Sequence, residues 1–489
     1  MESPQSGSEP PPERRVFCNR TLNLRAIQAV GFDMDYTLVH YDVAHWEERA
    51  YAHVQRRLQA RGLPVGDLRF DPELFTRGLI IDVELGNIVK ASRFGYVTHA
   101  AHGTALLDHE TRRRTYSQVW VELSEPRWVF LNTLFSLSEA CLYAQLVDLR
   151  DRGVLPVELG YPELYVLVRD TMDAAHLEGE LKAEIVADPE RFVVLDPDLP
   201  QALIDLRQAG KRLFLATNSD WLYTRAMMSW TFDRFLPGAN WRDLFEFVIV
   251  QAGKPGFFDQ AAEFHELVGD LGDRRPVAGR LEQGKVYAGG NAQVVQASLD
   301  LGGEEILYVG DHVYADVHVS SSIRRWRTAL VLRELEEEVK AEQDFAGAQR
   351  ELEEGMAHKE RLEREQATLR LALQRLEHGG RLPAGVNGPP GALRERLRAL
   401  RAELEALDQR LAPLAQQANR LAHARWGPLM RAGSDKSRLA RQIERHADVY
   451  TSRVSNLLWL TPFGYLRAAR GNLPHDACTT CGRAEAELD

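Results

Sequence analysis

The chain has 489 residues, enough for two or three domains or for one large domain with insertions. Its 44% hydrophobic and 27% charged residues are those of an ordinary globular protein, and a net charge of -11 speaks against a general nucleic-acid binder. With that charge, a site for an anionic substrate has to be made positive locally, by a metal, a lysine or helix N-termini.

The opening MESPQSGSEPPPE is rich in Pro, Ser and Glu, so residues 1–15 are expected to be disordered, and without an apolar core they do not read as a signal peptide. No apolar run is long enough to span a membrane, and four cysteines (Cys18, Cys141, Cys478, Cys481) in so long a chain fit a reducing cytoplasm.

Strand-like runs alternating with helical stretches predict an α/β fold with an open parallel sheet. The best strands are Ala26–Phe32, Arg212–Ala216, Phe245–Val250, Ile306–Val309 and Thr328–Leu332. The gap between the first two is far longer than a βαβ crossover needs. It is read as a cap inserted over the sheet (41–204), with helical stretches Trp46–Ala60, Leu131–Arg150 and Tyr161–Ala187. The catalytic core is then 16–40 with 205–333. Cap tryptophans such as Trp46, Trp120 and Trp128 are expected in its core.

After Leu332 the composition turns to Glu, Arg, Gln and Leu. The breaker HGGRLPAGVNGPPG precedes Leu393, Leu397, Leu400, Leu404, Leu407, Leu411 and Leu414, an alternation of four and three that makes a heptad seam. An antiparallel helical hairpin is expected over 334–425. Its first arm is interrupted by Lys359 and Gln366, so the seam is expected to find a second chain in a homo-oligomer. Residues 426–470 read as helices packing on the core and 471–489 as a flexible tail. There HDACTTC offers His475, Cys478 and Cys481, one ligand short of a structural zinc site, and is read as a solvated tail.

The chemistry lies in four segments, each just past a predicted strand, where open parallel sheets bind ligands. In GFDMDYTLVHYD, Asp33 and Asp35 share one face of an extended segment. One carboxylate can attack phosphorus and the other can move the proton. In FLATNSD, Thr217 ends a strand and its hydroxyl, with the next backbone N–H, can hold a phosphoryl oxygen. Alone it is an ordinary turn residue. In QAGKPGFF, Lys254 lies in a loop and can neutralise phosphate and nucleophile. In ILYVGDHVYADV, Asp311 and Asp316 are hard oxygen ligands suited to Mg2+.

Together these resemble the haloacid-dehalogenase superfamily of phosphohydrolases, a Rossmann-like fold with a cap. GFDMDYTL, TRGLIIDVELGN, LNTLFSLSEA, FLATNSDWLYT, KPGFF, VYAGGN, YVGDHVYADV and WRTALVLREL occur in order between Ala26 and Leu335, and HADVYTS and FGYLRAA extend the match to Ala468. The set resembles the cytosolic purine 5'-nucleotidase family, whose members hydrolyse IMP and GMP with Mg2+ and are often tetramers. The resemblance implies Asp33 as nucleophile, Asp35 as acid/base, and Thr217 and Lys254 on the phosphate, with Asn218 beside them. It places Mg2+ on Asp33, the Asp35 carbonyl and Asp311, with Asp316 ordering that loop. For base and ribose it implies Phe135, Arg169, Asp173, His176 and Lys182 of the cap. Arg169, Asp173 and His176 step by four and three along one helix face, which without the resemblance reads as a surface salt-bridge helix. The expectation is a cytoplasmic Mg2+-dependent nucleotidase acting on a small-molecule nucleotide, a dimer or tetramer with no nucleic-acid or membrane partner. A phosphatase or phosphotransferase for another small phosphate ester, and an assembly protein with a vestigial site, are the rival readings.

Overall fold

The structure, a computed structural model, describes residues 9–177, 179–269, 272–277 and 279–469, with only the backbone of residues 176 and 177. The zinc-ligand candidates His475, Cys478 and Cys481 lie outside the described residues, as do the first eight residues and the tail from 470.

A ten-stranded sheet forms the centre. Its order is Phe17–Cys18, Val449–Thr451, Arg327–Val331, Ile306–Gly310, Ala29–Phe32, Arg212–Ala216, Phe247–Val250, Val286–Gly289, Phe264–Val268 and Asp273–Val277. From Val449–Thr451 through Val286–Gly289 all neighbours are parallel, and the outer strands at both edges are antiparallel. The central strand Ala29–Phe32 is buried at every residue, as expected where helices cover both faces. Gly31 is required there: a Cβ would stand 2.2 Å from the Phe214 ring and 2.8 Å from Tyr308.

The chain leaves this sheet and returns through a two-strand stem, His40–Tyr41 paired antiparallel with Val193–Val194. The helix Leu199–Gln208, which runs across the boundary expected at 204/205, leads back into the sheet. Between the stem strands lie helices Val43–Ala60, Leu137–Asp151, Tyr161–Leu177 and Glu180–Ala187. The first starts on Asp42, whose carboxylate accepts the His45 N–H at 3.0 Å. The expected helix Tyr161–Ala187 breaks before Gly179, which sits at φ 76°. The insertion also holds a five-stranded antiparallel sheet, order Ala105–Leu106, Val97–His102, Asn87–Ala91, Ile80–Asp82, Trp128–Phe130, that the sequence reading missed. Trp46 and Trp128 are buried, but Trp120 is 57% exposed and packs at a tilt against Tyr96.

Glu47, on the first cap helix, has an electrostatic consequence. It is fully buried, its Oε2 accepts the Ser138 N–H at 2.7 Å, and Oε1 has no partner. Burial pushes its carboxyl up to about 7. The folded state therefore holds a proton that the unfolded chain releases near pH 4.5, and stability falls as pH rises between those values. Glu47→Gln is expected to exceed wild type in stability at pH 8 by on the order of 2 kcal/mol, with the gap closing at pH 5. Thermal unfolding at the two pH values checks this.

Beyond the core, Ala346–Glu377 and Pro390–Ala418 form the antiparallel hairpin. Its seam is closed within one chain: Leu362 and Leu369 pack with Leu393 through Leu411, all under 10% exposed. Gly355 lets the arms approach, since a Cβ would lie 2.4 Å from Leu411. Lys359 does not spoil the seam but bridges to Asp408 at 2.5 Å, and Arg396 grips Glu365 at 2.8 Å. Coverage is less complete toward the ends of the seam, where Leu352, Leu373, Leu376 and Leu414 are partly buried.

Residues 436–470 are not all helix. Helix Arg438–His446 is followed by the strand Val449–Thr451, whose β-branched and aromatic run joins the central sheet. Residues 9–15 are also ordered: the Arg14 guanidinium reaches Ser455 Oγ at 3.0 Å and Asp198 at 3.6 Å. The segment after the hairpin is tied to the insertion by Lys90, whose buried ammonium donates to the Trp426 and Pro428 carbonyls at 2.6 Å each. No helix among the described residues is long and apolar enough to cross a membrane.

Candidate active site

Four adjacent strands deliver the site at their carboxyl ends: Ile306–Gly310 brings Asp311, Ala29–Phe32 brings Asp33, Arg212–Ala216 brings Thr217, and the loop after Phe247–Val250 brings Lys254. Asp33 and Thr217 extend their strands by one more rung, through N–H bonds to Val309 and Ile249 at 2.8 and 2.9 Å.

Lys254 is the hub. Its buried ammonium lies 2.8 Å from Asp33 Oδ1 and 2.7 Å from Asp316 Oδ1, and donates to the Tyr308 hydroxyl at 3.2 Å. The Met34 N–H also donates to Asp33 Oδ1 at 2.7 Å, so among the described residues Oδ2 stays uncommitted. Burial pushes the Asp33 carboxyl up to about 7; Lys254 opposes the shift, and Asp316 and Asp35 add to it. Burial likewise drives Asp311 well above the carboxylate range, with Arg77 opposing.

One ligand oxygen each from Asp33, Asp311 and Asp316 lies within 4.8 Å of the others. Asp311 Oδ2 is buried without a hydrogen-bond partner. Carboxylates in excess over one lysine, with an orphaned oxygen, fit a small hard divalent cation. Asp316 belongs to this cluster as well as ordering the loop, where its Oδ2 accepts the His312 N–H at 3.1 Å. The approach depends on Gly310, whose Cβ would meet the Asp316 carboxyl at 2.5 Å. The next residues form a π-helical turn, Val313–His318, a distortion common at functional sites.

The Asp35 side chain is held apart from the cluster. The Tyr41 hydroxyl donates to Oδ1 at 2.5 Å and the Ser219 hydroxyl to Oδ2 at 2.8 Å. Thr217 is fully buried, and its hydroxyl oxygen accepts the Ser219 N–H at 3.1 Å. Asn218 spends its amide on the lysine loop: Nδ2 donates to the Lys254 carbonyl at 3.0 Å and Oδ1 accepts the Lys254 N–H at 2.7 Å. It clamps Lys254 in place.

The cap residues divide. Lys182 reaches the core, 3.3 Å from Ser219 Oγ and 3.8 Å from Asp220. Phe135 packs edge-on against Tyr36 of the DMDYT segment, ring centroids 4.6 Å apart. Arg169 interacts with Tyr165 and Glu139 on the cap, and neither it nor the exposed Asp173 touches the catalytic cluster. The His176 side chain lies outside the described residues.

Sequence reasoning missed Arg77, Tyr41, Ser219 and Tyr223. Arg77, 2% exposed, donates from Nη2 to the Asp311 carbonyl and from Nε to the Asn132 carbonyl, the latter at 2.9 Å. It thus pins the Asp311 loop from the insertion. Its sequence signal is the TRGLIID segment.

A sequence profile of the 5' nucleotidase family matches residues 16–478. A 5'-nucleotidase domain-containing protein of Dictyostelium discoideum is 28% identical over 473 residues, covering 94% of this chain and 74% of that protein. The human 5'-nucleotidase domain-containing protein 2 is 31% identical over 342 residues, covering 66% of this chain and 64% of its own length. Among solved structures, a HAD phosphatase from Thermococcus onnurineus aligns at TM-score 0.27 with 14% identity, over 63% of this chain and 87% of that one. A β-phosphoglucomutase from Pyrococcus aligns at 0.29 with 11% identity, over 62% and 86%, and at such scores neither likeness carries weight. With a profile match across nearly its whole length, the chain belongs to the 5' nucleotidase family and is a phosphoric monoester hydrolase.

Proposed function

We propose that the protein is a Mg2+-dependent 5'-nucleotidase that hydrolyses purine nucleoside monophosphates of the IMP and GMP type through an aspartyl-phosphate. The observation that carries this reading is the buried cluster of Asp33, Asp311 and Asp316 around Lys254, with Asp35 held separately beside it. In the first step an Asp33 carboxylate oxygen attacks phosphorus, the ester P–O bond breaks, and the leaving oxygen takes a proton from Asp35. In the second, water attacks the phosphoryl group and gives its proton to Asp35, and the P–O bond to Asp33 breaks. Lys254 holds the phosphoryl group against Asp33, and Thr217 lines the same strand end. Asp33, Asp311, Asp316 and, by family resemblance, the Asp35 carbonyl would hold the Mg2+. When bound, it neutralises charge on the phosphoryl oxygens.

A phosphate-release screen over nucleoside monophosphates and sugar phosphates, with and without Mg2+, tests the proposal. Preference for a sugar phosphate would move the function to a different ester, and inertness would favour a vestigial site. The cap supplies the selectivity in this reading. Arg169→Ala and His176→Ala are expected to raise KM for IMP or GMP by on the order of tenfold, leaving p-nitrophenyl phosphate hydrolysis nearly unchanged. Equal losses on both substrates would assign them to the fold. A cytoplasmic location is part of the proposal and fits the free thiols of Cys18 and Cys141.

A further inference from the structure

We propose that Tyr41, backed by Tyr223, is the positioning pair that aims the Asp35 carboxyl at the leaving-group oxygen; the inference rests on the phosphatase reading above.

The geometry fixes the direction of these hydrogen bonds for the ionised form of Asp35, the form that receives water's proton in the second step. That carboxylate can only accept, so Tyr41 spends its single proton on Oδ1, at 2.5 Å, and the proton that Asp35 delivers in the first step is left to Oδ2. The Tyr41 oxygen then takes the proton of Tyr223, whose hydroxyl lies 3.0 Å away. Both phenols are buried, at 0% and 3% exposure, so water does not compete for these bonds.

The ring of Tyr41 has little freedom to swing. Trp46 packs against it at 4.6 Å between centroids and Tyr36 edge-on at 5.3 Å. Its backbone is in the stem strand, opposite Val193. Tyr223 rises from the first turn of helix Trp221–Phe232, which is capped by Asp220 at 3.0 Å. One member of the pair therefore belongs to the stem and the other to the core. On the opposite side, Ser219 holds Oδ2 at 2.8 Å and lies 3.3 Å from the Lys182 ammonium of the cap. The two carboxylate oxygens are thus fixed from two directions, which sets the plane of the carboxyl and hence where its proton is delivered. Proton transfer to a leaving oxygen needs that placement within a fraction of an ångström.

A misaimed acid hurts poor leaving groups and spares good ones. The test is single-turnover release of the leaving group from phenyl phosphate, which needs protonation, and from p-nitrophenyl phosphate, which does not. It uses full-length protein with Mg2+. Tyr41→Phe removes one hydroxyl and keeps the ring packing. It is expected to slow phenol release by on the order of tenfold and p-nitrophenolate release by less than about threefold. Tyr223→Phe is expected to show the same selectivity with a smaller loss. In an Asp35→Asn background, Tyr41→Phe is expected to add no selective loss. Equal losses on both esters in the two variants, or selectivity that survives in the Asp35→Asn background, would overturn the positioning role alone. Wild-type protein inert to both esters and to nucleotides would overturn the phosphatase reading and this inference with it.

Discussion

Asp33→Asn is expected to lower turnover by at least about four orders of magnitude while leaving the protein no less stable than wild type. An amide nitrogen or oxygen does not attack phosphorus, so the loss is in the chemical step. The stability expectation comes from the charge count around Lys254, where one ammonium faces Asp33 and Asp316 directly, with Asp311 in the same cluster. Burial raises the Asp33 carboxyl to about 7, so its ionised form costs stability as pH rises from the unfolded value through that point. A neutral amide of the same shape removes that cost at pH 8. Phosphate release and thermal unfolding measured on one preparation check both halves. Residual activity above about one per cent would remove Asp33 as nucleophile. A large drop in melting temperature would mean that the ion pair with Lys254 contributes more than the carboxylate repulsion costs.

The residues that the structure gathers at the strand ends were legible because they follow short, wholly apolar strands. Val30–Phe32 before Asp33, Leu213–Ala216 before Thr217 and Ile306–Val309 before Asp311 are runs that burial on both faces requires. Other strands were not legible for the opposite reason. Asp273–Val277 reads DRRPV and is almost wholly exposed, and Val97–His102 reads VTHAAH, so neither carries a strand-like apolar pattern. Val449–Thr451 is too short to stand out beside a strongly amphipathic helix. The hairpin's leucine seam was visible, but its closure was not: that depends on Gly355 and on Lys359 finding Asp408 across the arms, both long-range facts. Arg77, Tyr41 and Tyr223 share that limit. Tyr223 and Tyr41 meet across 182 residues of sequence, and no local pattern marks a tyrosine whose value lies in one hydroxyl.

Lys254→Met is expected to reduce turnover by at least about three orders of magnitude and, unlike Asp33→Asn, to destabilise the fold. The lysine side chain is 3% exposed, and removing it strands the carboxylates of Asp33 and Asp316 in a buried cluster. Breaking a buried ion pair from one side costs about 3–5 kcal/mol, because the remaining charge stays desolvated. Burial works against the ammonium, yet Asp316 and Asp33 hold its proton affinity well above the ordinary lysine value. Its stabilising contribution is therefore fully present at neutral pH and is lost only at strongly alkaline pH. The deficit of the variant should depend on pH through the carboxylates left behind. Lys254 holds the wild-type Asp33 value down to about 7, so in the variant Asp33 takes a proton at pH 5 and the repulsion falls; the gap in melting temperature to wild type, measured with a chelator present, should then be smaller than at pH 8. Adding Asp316→Asn to Lys254→Met removes one stranded carboxylate and should recover part of the stability without recovering activity. A gap that is the same at both pH values, or a double variant no more stable than the single one, would mean that Lys254 supports the fold through packing against Tyr308 and not through its charge.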